Sequence, residues 1–257
     1  MKLMVLAIDI GNTNIVVGCF DEEKILFVER VSTNHTATDL EYASTIRMAL
    51  YIHGYESSML TGAIISSVVP GVTGTVKRAI EKYAGVKVMV VSPGIKTGIK
   101  LLVDNPAQLG SDLVVDAVAG INHYPVPLII IDMGTATTLS VIDKNKNYVG
   151  GMIMTGVAIS ADALTSRTAQ LPKIAFETPR NLIGKNTVDC MRNGMMYSNA
   201  CALDGLIERV EEELGEPCTV VATGGIANVI TPLCKRKIIM DDALLLKGLM
   251  IIYQKNL

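Results

Sequence analysis

Short apolar runs alternate with amphipathic segments along most of the chain, which is the pattern of an α/β protein. The apolar run at residues 3–8 predicts a buried strand that leads into a tight turn at residues 9–14. Residues 15–20 and 25–31 have strand-like composition, and the polar residues 21–24 between them predict a hairpin turn. The chain is therefore expected to begin with three strands, the first two joined by a turn rich in polar side chains.

Helices and strands are predicted to alternate after this hairpin. The spacing of apolar residues predicts helices at 38–54 and 72–83, and apolar runs predict strands at 62–69 and 86–91. Residues 92–110 are rich in Gly and Pro and have little periodicity, so we expect a loop there. This loop leads into a helix predicted at residues 111–122, with Ser111 and Asp112 as capping candidates.

The second part of the chain repeats the opening pattern. Strands are predicted at residues 126–131, 138–142 and 148–154, and a second acidic turn begins at Asp132. The remaining predicted elements are a helix at 159–168, a long helix at 188–214, a strand at 219–222, a glycine turn at 223–225 that opens a helix, and a last helix at 244–253. We therefore predict two related halves, residues 1–115 and 116–257.

Composition fits two packed domains and argues against several functional classes. Of the 257 residues, 49% are hydrophobic but only 4% are aromatic, so aliphatic side chains and 13 Met must form the core. The formal charge of −2 gives no basic field for nucleic acid. The basic triplet at residues 235–237 is typical of a solvated turn, and no apolar run approaches the ~18 residues of a membrane span. We expect neither nucleic acid nor a membrane as a partner.

The five cysteines favour a reducing compartment. They include no C-x-x-C pair, and an odd number does not complete a disulfide framework. Asp9 interrupts the N-terminal apolar stretch too early for a secretory signal. We expect a cytoplasmic protein.

The two acidic turns have the chemistry of phosphate and cation sites. In the first, Gly11 lets the backbone approach a ligand closely, and the polar side chains of residues 12–14 offer hydrogen bonds. Asp9, at the strand end, can hold a hydrated cation. One D-x-G-x-T pattern is weak, because Asp and Gly at a strand end usually only make a turn. Two copies together with Thr223-Gly224-Gly225 are a much stronger signal.

These motifs resemble the actin-like ATPase and sugar kinase superfamily, and within it the type III pantothenate kinase family. The resemblance covers almost the whole chain, with the motifs in their usual spacing. It implies a duplicated, ribonuclease-H-like α/β fold with two mixed-sheet domains around a nucleotide cleft. It also implies that a homodimer phosphorylates the terminal hydroxyl of pantothenate with ATP, the first step of coenzyme A synthesis. The motifs are residues 9–14, 105–106, 110–112, 132–138, 150–151, 184–187 and 222–225.

The resemblance assigns roles to individual residues. It implies that ATP phosphates bind at the first turn with Asp9 near Mg²⁺, that Asp132 binds a monovalent cation, K⁺ or NH₄⁺, and that Asp112 accepts the proton of the pantothenate hydroxyl. Without the resemblance, Asp112 and Thr187 would be interpreted as helix caps. The implied nucleotide-binding residues are Asp9, Gly11, Asn12, Thr13, Asn14, Ile15, Val16, Gly134, Thr135, Gly224 and Gly225. The implied acceptor-binding residues are Val103, Gly110, Ser111, Asp112, Leu113 and Thr187.

Two acceptor-side residues depart from the family pattern. Leu113 stands where the G-x-D-R motif has arginine, and Val103 stands where the family usually has a substrate-contacting tyrosine. Losing a charged hydrogen bond costs about 1.5–3 kcal/mol, so both changes favour weakened or altered use of the acceptor. Two alternatives therefore stay open. One is a catalytically impaired accessory protein that binds nucleotide, and the other is a kinase of another small hydroxylated acceptor.

Overall fold

The computed structural model describes residues 4–22 and 24–257, which form eleven described strands and seven described α-helices. Residue 3 of the first predicted strand and residue 23 of the predicted hairpin turn lie outside the described residues. The strands are β1 (Met4–Ile10), β2 (Asn14–Asp21), β3 (Lys24–Ser32), β4 (Gly62–Ser67), β5 (Val88–Val90), β6 (Lys100–Leu101), β7 (Leu128–Met133), β8 (Ala136–Ile142), β9 (Asn147–Thr155), β10 (Thr219–Thr223) and β11 (Ile239–Met240). The helices are α1 (Asp39–Ile52), α2 (Pro70–Ala84), α3 (Ser111–His123), α4 (Val157–Ser166), α5 (Thr187–Leu214), α6 (Ala227–Ile230) and α7 (Leu244–Lys255).

The chain forms two compact units, each with its own sheet. Unit 1 comprises the chain up to Gly98 together with Asn105–Ala119 and Leu244–Leu257, and unit 2 comprises Ile99–Asp104 and Gly120–Ala243. These units are discontinuous because α7 returns to unit 1. The halves 1–115 and 116–257 therefore remain a prediction about the sequence repeat and do not describe the compact units.

The sheet of unit 1 has the strand order β3-β2-β1-β4-β5. β1 is antiparallel to β2 and parallel to β4, so it lies at the centre of the sheet. Its side chains are buried on both faces, as expected for a central strand made of aliphatic residues. Leu6 and Ile8 pack with Ile46 of α1 and Ile80 of α2 in one core.

The sheet of unit 2 has the order β11-β10-β7-β8-β9-β6. β7 is antiparallel to β8 and parallel to β10, which repeats the pairing of β1 with β2 and β4. Apart from the added edge strand β6, the two sheets have the same order and the same strand directions. The predicted duplicated α/β architecture is therefore confirmed.

Local signals account for the ends of the main helices. A capping box starts α1, in which the Glu41 carboxylate accepts a hydrogen bond from the Thr38 amide at 2.7 Å. The side chain of Asn186 caps α5 by accepting from the amide of Asp189 at 2.9 Å. Thr187 is the first residue of α5, so its interpretation as a cap is wrong. Gly215 ends α5 at a φ of 73°, a left-handed conformation that glycine adopts without strain.

Four short elements differ from the sequence prediction. The loop predicted at residues 92–110 contains strand β6 and a single 3₁₀ turn at Pro106–Gln108. β11 was not predicted, because a two-residue strand is defined by its pairing with β10 and not by periodicity. The helix expected after the glycine turn at 223–225 is only the four-residue α6.

Candidate active site

The first acidic turn joins β1 to β2 in unit 1. Asp9 and Ile10 still pair with β2, and the turn closes through a 3.0 Å hydrogen bond from the Gly11 amide to the Asn14 carbonyl. A Cβ atom at Gly11 would lie 3.0 Å from that carbonyl oxygen, so the turn favours glycine. Residues 12–14 are exposed at the tip. The turn therefore presents polar side chains to solvent while its base is fixed by the sheet.

The β3 end of the sheet braces this turn. The Thr33 hydroxyl donates to the Gly11 carbonyl at 2.6 Å, and the Thr33 amide donates to the Thr13 carbonyl at 2.9 Å. Ile15 is 1% exposed and belongs to the core, so its side chain is unavailable to a nucleotide. Val16 is half-buried and pairs with Asp9. Of the implied nucleotide residues in unit 1, Asn12, Thr13 and Asn14 have exposed side chains.

Asp112 lies in the first turn of α3, also in unit 1. It is the second residue of the helix and not its N-cap, and its Oδ1 accepts a hydrogen bond from the Leu113 amide at 2.9 Å. Burial raises the pKa of the Asp112 carboxyl, while hydrogen bonds from the amides of Leu113 and Asp112 itself oppose this rise. A carboxylate with a raised pKa is a better proton acceptor than an ordinary aspartate.

Gly110 makes room for this carboxylate. A Cβ atom at position 110 would clash with Asp112 Oδ1 and come within 3.8 Å of Cγ of Leu113. Leu113 is half-buried in the same turn of α3. The three residues Gly110, Asp112 and Leu113 are thus neighbours, and the side chain beside the candidate base is apolar.

The other two acceptor-side residues belong to unit 2. Val103 is half-buried in the loop after β6, where the Leu102 amide donates to the Tyr148 carbonyl at 2.8 Å. Thr187 is exposed at the start of α5. Gly184 packs against this helix start, because a Cβ atom there would lie 2.7 Å from the Asp189 carbonyl carbon.

The second acidic turn joins β7 to β8 in unit 2 and lies beside the glycine turn. Asp132 is in register with Thr223 of the parallel strand β10. Gly224 has a φ of 99°, and a Cβ atom there would lie 2.6 Å from Asp132 Oδ1. Gly134 and Thr135 are exposed at the tip, and Gly225 is exposed in the neighbouring turn. The tertiary structure thus brings the second acidic turn and the Thr-Gly-Gly turn together.

A third glycine supports the same turn. A Cβ atom at Gly156 would be 2.7 Å from the carbonyl carbon of Thr135, so the chain before α4 packs directly on the turn. Sequence reasoning missed Gly156, and it also missed Ser66 at the end of β4, which is in register with Asp9. Neither residue belongs to a recognisable motif. Strand register reveals Ser66, and the close approach of two backbone segments reveals Gly156.

The donor atoms at both turns suit hard cations and phosphates. Asp9 and Asp132 each bring one carboxylate to a strand end, and the turns that follow them carry hydroxyl or amide side chains. Across the described part of the chain, no cluster of three or more His, Cys, Asp or Glu is placed to hold a metal. One carboxylate with exposed polar neighbours fits Mg²⁺ in a nucleotide site, because Mg²⁺ usually keeps waters and phosphates among its ligands.

Comparison with known protein families decides the family. The model of the type III pantothenate kinase family matches residues 5–209. The chain belongs to the type III pantothenate kinase family. A type III pantothenate kinase of Bacillus cytotoxicus is 43% identical over 253 residues, which cover 98% of this chain and 97% of the relative. One from Exiguobacterium sp. is 43% identical over 254 residues, covering 98% and 99%.

Solved structures agree with the fold expected of a type III pantothenate kinase. The activator of 2-hydroxyisocaproyl-CoA dehydratase from Clostridium difficile, solved with bound ADPNP, superposes with a TM-score of 0.57. The match covers 99% of this chain and 94% of that one at 16% identity, so it bears on the fold alone. The predicted actin-like α/β fold is confirmed. No helix within residues 4–22 and 24–257 has the length and apolarity to cross a membrane.

Proposed function

We propose that this member of the type III pantothenate kinase family transfers the γ-phosphoryl group of ATP to the terminal hydroxyl of pantothenate. Family membership and full-length relatives of that name support the reaction. The single structural observation that carries it is the half-buried Asp112 carboxylate at the start of α3, whose pKa is raised by desolvation. Such a group is suited to accept a proton from an alcohol.

In the proposed mechanism the hydroxyl oxygen of pantothenate forms a bond to the γ-phosphorus, and Asp112 takes the hydroxyl proton. The bond from the γ-phosphorus to the β,γ-bridging oxygen breaks at the same time. The products are 4'-phosphopantothenate and ADP. Asn12, Thr13 and Asn14 at the first turn orient the phosphates, and Asp9 is the residue that would hold Mg²⁺. The cation supplies neutralisation of phosphate charge when it is bound.

In unit 2, we propose that Thr135 and the exposed backbone of Gly134 and Gly225 contact the nucleotide. Gly224 is required for packing, since its close approach to Asp132 leaves no room for a side chain. We further propose that Asp132 binds K⁺ or NH₄⁺. A carboxylate at a strand end, beside a turn that receives phosphates, is a favourable place for such a cation.

The acceptor side motivates a second candidate. Leu113 offers no hydrogen bond to the carboxylate of pantothenate, and Val103 offers none either, so a different or weakly bound acceptor is the alternative. If no acceptor is used at all, the protein is a catalytically impaired accessory protein. Full-length relatives named type III pantothenate kinase, at 43% identity, make the kinase the first candidate.

We also propose a homodimer in the cytoplasm. The family resemblance supports the dimer, and the exposed aliphatic side chains of unit 2, Ile153 at 76% and Ile183 at 79%, are available to an interface between copies. All five cysteines are free, which supports a reducing compartment. We propose no nucleic acid site at the basic triplet of residues 235–237. Asp204 accepts hydrogen bonds from the amides of Lys235 and Arg236, and the Arg236 side chain pairs with Glu211.

A coupled assay of ADP release over a panel of acceptors tests the proposal. Pantothenate, its amides and unrelated small alcohols are compared, with the Asp112→Asn variant as the control for background ATP hydrolysis. Release of ADP that depends on pantothenate and on Asp112 supports the kinase. Turnover of another acceptor alone supports the second candidate, and nucleotide binding without any turnover supports the accessory protein.

A further inference from the structure

The hydroxyl of Ser111 connects the start of α3 to the end of β4. Ser111 Oγ lies 3.0 Å from the Ser67 carbonyl oxygen and 3.2 Å from the Ser67 amide nitrogen. It also lies 3.1 Å from Ser66 Oγ. One side chain thus contacts two consecutive residues that lie more than forty positions earlier in the chain.

These three contacts use the full hydrogen-bonding capacity of the Ser111 hydroxyl. A hydroxyl donates one hydrogen bond and accepts two. Ser111 donates to the Ser67 carbonyl and accepts from the Ser67 amide, which leaves its second acceptor site for the Ser66 hydroxyl. Ser66 is 0% exposed, so without Ser111 its hydroxyl would lose a partner in a place where water does not reach.

The same strand end carries the first acidic turn. In the parallel pair of β1 and β4, Asp9 is in register with Ser66 and Ile10 with Ser67. The Val68 amide then donates to the Ile10 carbonyl at 3.1 Å. A chain of direct contacts therefore runs from the strand that bears Asp9, through Ser66 and Ser67, to the residue immediately before Asp112.

We propose that Ser111 is a positioning residue that, through Ser66 and Ser67, fixes the Asp112 carboxylate relative to the phosphate-binding turn at Asp9. The inference rests on the proposed kinase function and gives the Ser111 hydroxyl a positioning role beside the acceptor-binding role that the family resemblance implies for this residue. Its hydroxyl is fully engaged within the protein and is unavailable to the acceptor. Phosphoryl transfer depends on placement, and a displacement of about 1 Å can reduce the rate about a hundred-fold.

Ser111→Ala is the direct test, with Ser66→Ala as a milder second variant that keeps both contacts of Ser111 to Ser67. We expect kcat to fall about ten-fold in Ser111→Ala and less in Ser66→Ala, with KM for ATP within about two-fold of wild type. A purely structural contribution would lower the thermal midpoint and leave kcat of the folded enzyme unchanged. Unchanged kcat in both variants overturns the proposal.

Two controls separate positioning from general loss of a hydrogen bond. Thr73→Val removes a hydroxyl 2.7 Å from Ser67 Oγ, in the same network but on α2 instead of α3. Ser140→Ala removes a buried hydroxyl 3.2 Å from that of Tyr148 in unit 2. Both should reduce stability and leave kcat within about two-fold of wild type. An equal fall of kcat in the controls contradicts a specific role for Ser111.

Amide hydrogen exchange tests the inference independently of turnover. The Leu113 amide donates to Asp112 and the Val114 amide donates to the Gly110 carbonyl, so both report on the first turn of α3. We expect both to exchange about ten-fold faster in Ser111→Ala and unchanged in Thr73→Val. If wild type turns over no acceptor, the proposed function fails, and this measurement alone decides the positioning role. Unchanged exchange in Ser111→Ala then refutes it.

Discussion

The Asp112 carboxylate occupies the space that a Cβ atom at position 110 would need. Gly110 therefore leaves room for a side chain two residues away and is not needed for a turn, since no left-handed φ is involved. This relationship gives the glycine of the G-x-D motif a physical reason. It lets the candidate base fold back over the backbone, where burial raises the pKa of its carboxyl.

Gly110→Ala should displace that carboxylate. We expect kcat to fall about ten-fold or more, with ATP affinity unchanged because the first acidic turn is untouched. The matched control is Gly194→Ala on α5, where an added Cβ meets no atom within 4 Å and should stabilise the helix slightly. Steady-state kinetics and thermal melts measure both effects. Wild-type kcat in Gly110→Ala would show that the close approach is irrelevant to catalysis.

Asp112→Asn should remove the proton acceptor while keeping the shape of the side chain. We expect turnover to fall roughly 10²- to 10⁴-fold, with nucleotide affinity by calorimetry nearly unchanged. Asp104→Asn is the control, because Asp104 is an exposed carboxylate in the loop before α3. Comparable turnover in Asp112→Asn and wild type would contradict the role of Asp112 as the proton acceptor.

The same variant should be more stable than wild type near neutral pH. A folded-state pKa raised above the unfolded value means that folding favours the protonated form, so the wild type loses stability as pH rises through the raised pKa. Asparagine carries no charge and avoids this loss. Thermal midpoints of the two proteins should converge below about pH 4 and separate toward neutral pH. A wild type that is the more stable of the two at neutral pH would contradict a carboxylate that is destabilised by partial burial.

Replacement of potassium should reveal the role proposed for Asp132. We expect turnover to drop in sodium-only buffer, and Asp132→Asn to lose the preference for K⁺ or NH₄⁺. Asp143→Asn provides a control, because that carboxylate closes the β8–β9 turn through hydrogen bonds to Asn145 and Asn147. Equal wild-type rates in the two salts would leave Asp132 as a turn residue.

The apolar residue beside the base predicts a high KM for pantothenate. Leu113→Arg, alone or with Val103→Tyr, should lower that KM and raise kcat/KM by about 1–3 kcal/mol, while ATP parameters change little. Leu164→Arg adds the same charge at an exposed position of α4 and serves as the control. If wild type already has an ordinary KM and the arginine gains nothing, the argument from its absence is wrong.

The sequence by itself determined the elements and their repetition. Apolar periodicity predicted the long strands and helices, and two acidic turns after apolar runs predicted the duplication that both sheets display. These features are local, since one strand or helix is specified by residues that are near one another in the chain. The sequence motifs also indicated the type III pantothenate kinase family, and the family comparison confirmed it.

Only the tertiary structure decided which distant residues meet. Packing of α3 on the end of β4 brought Ser111 to Ser66. Strand register brought Gly224 to Asp132, and strand pairing turned two short segments into β6 and β11. The tertiary structure also returned α7 to the first compact unit. Sequence periodicity is silent about such pairs, because a register contact depends on how two separate strands align and not on the pattern within either strand.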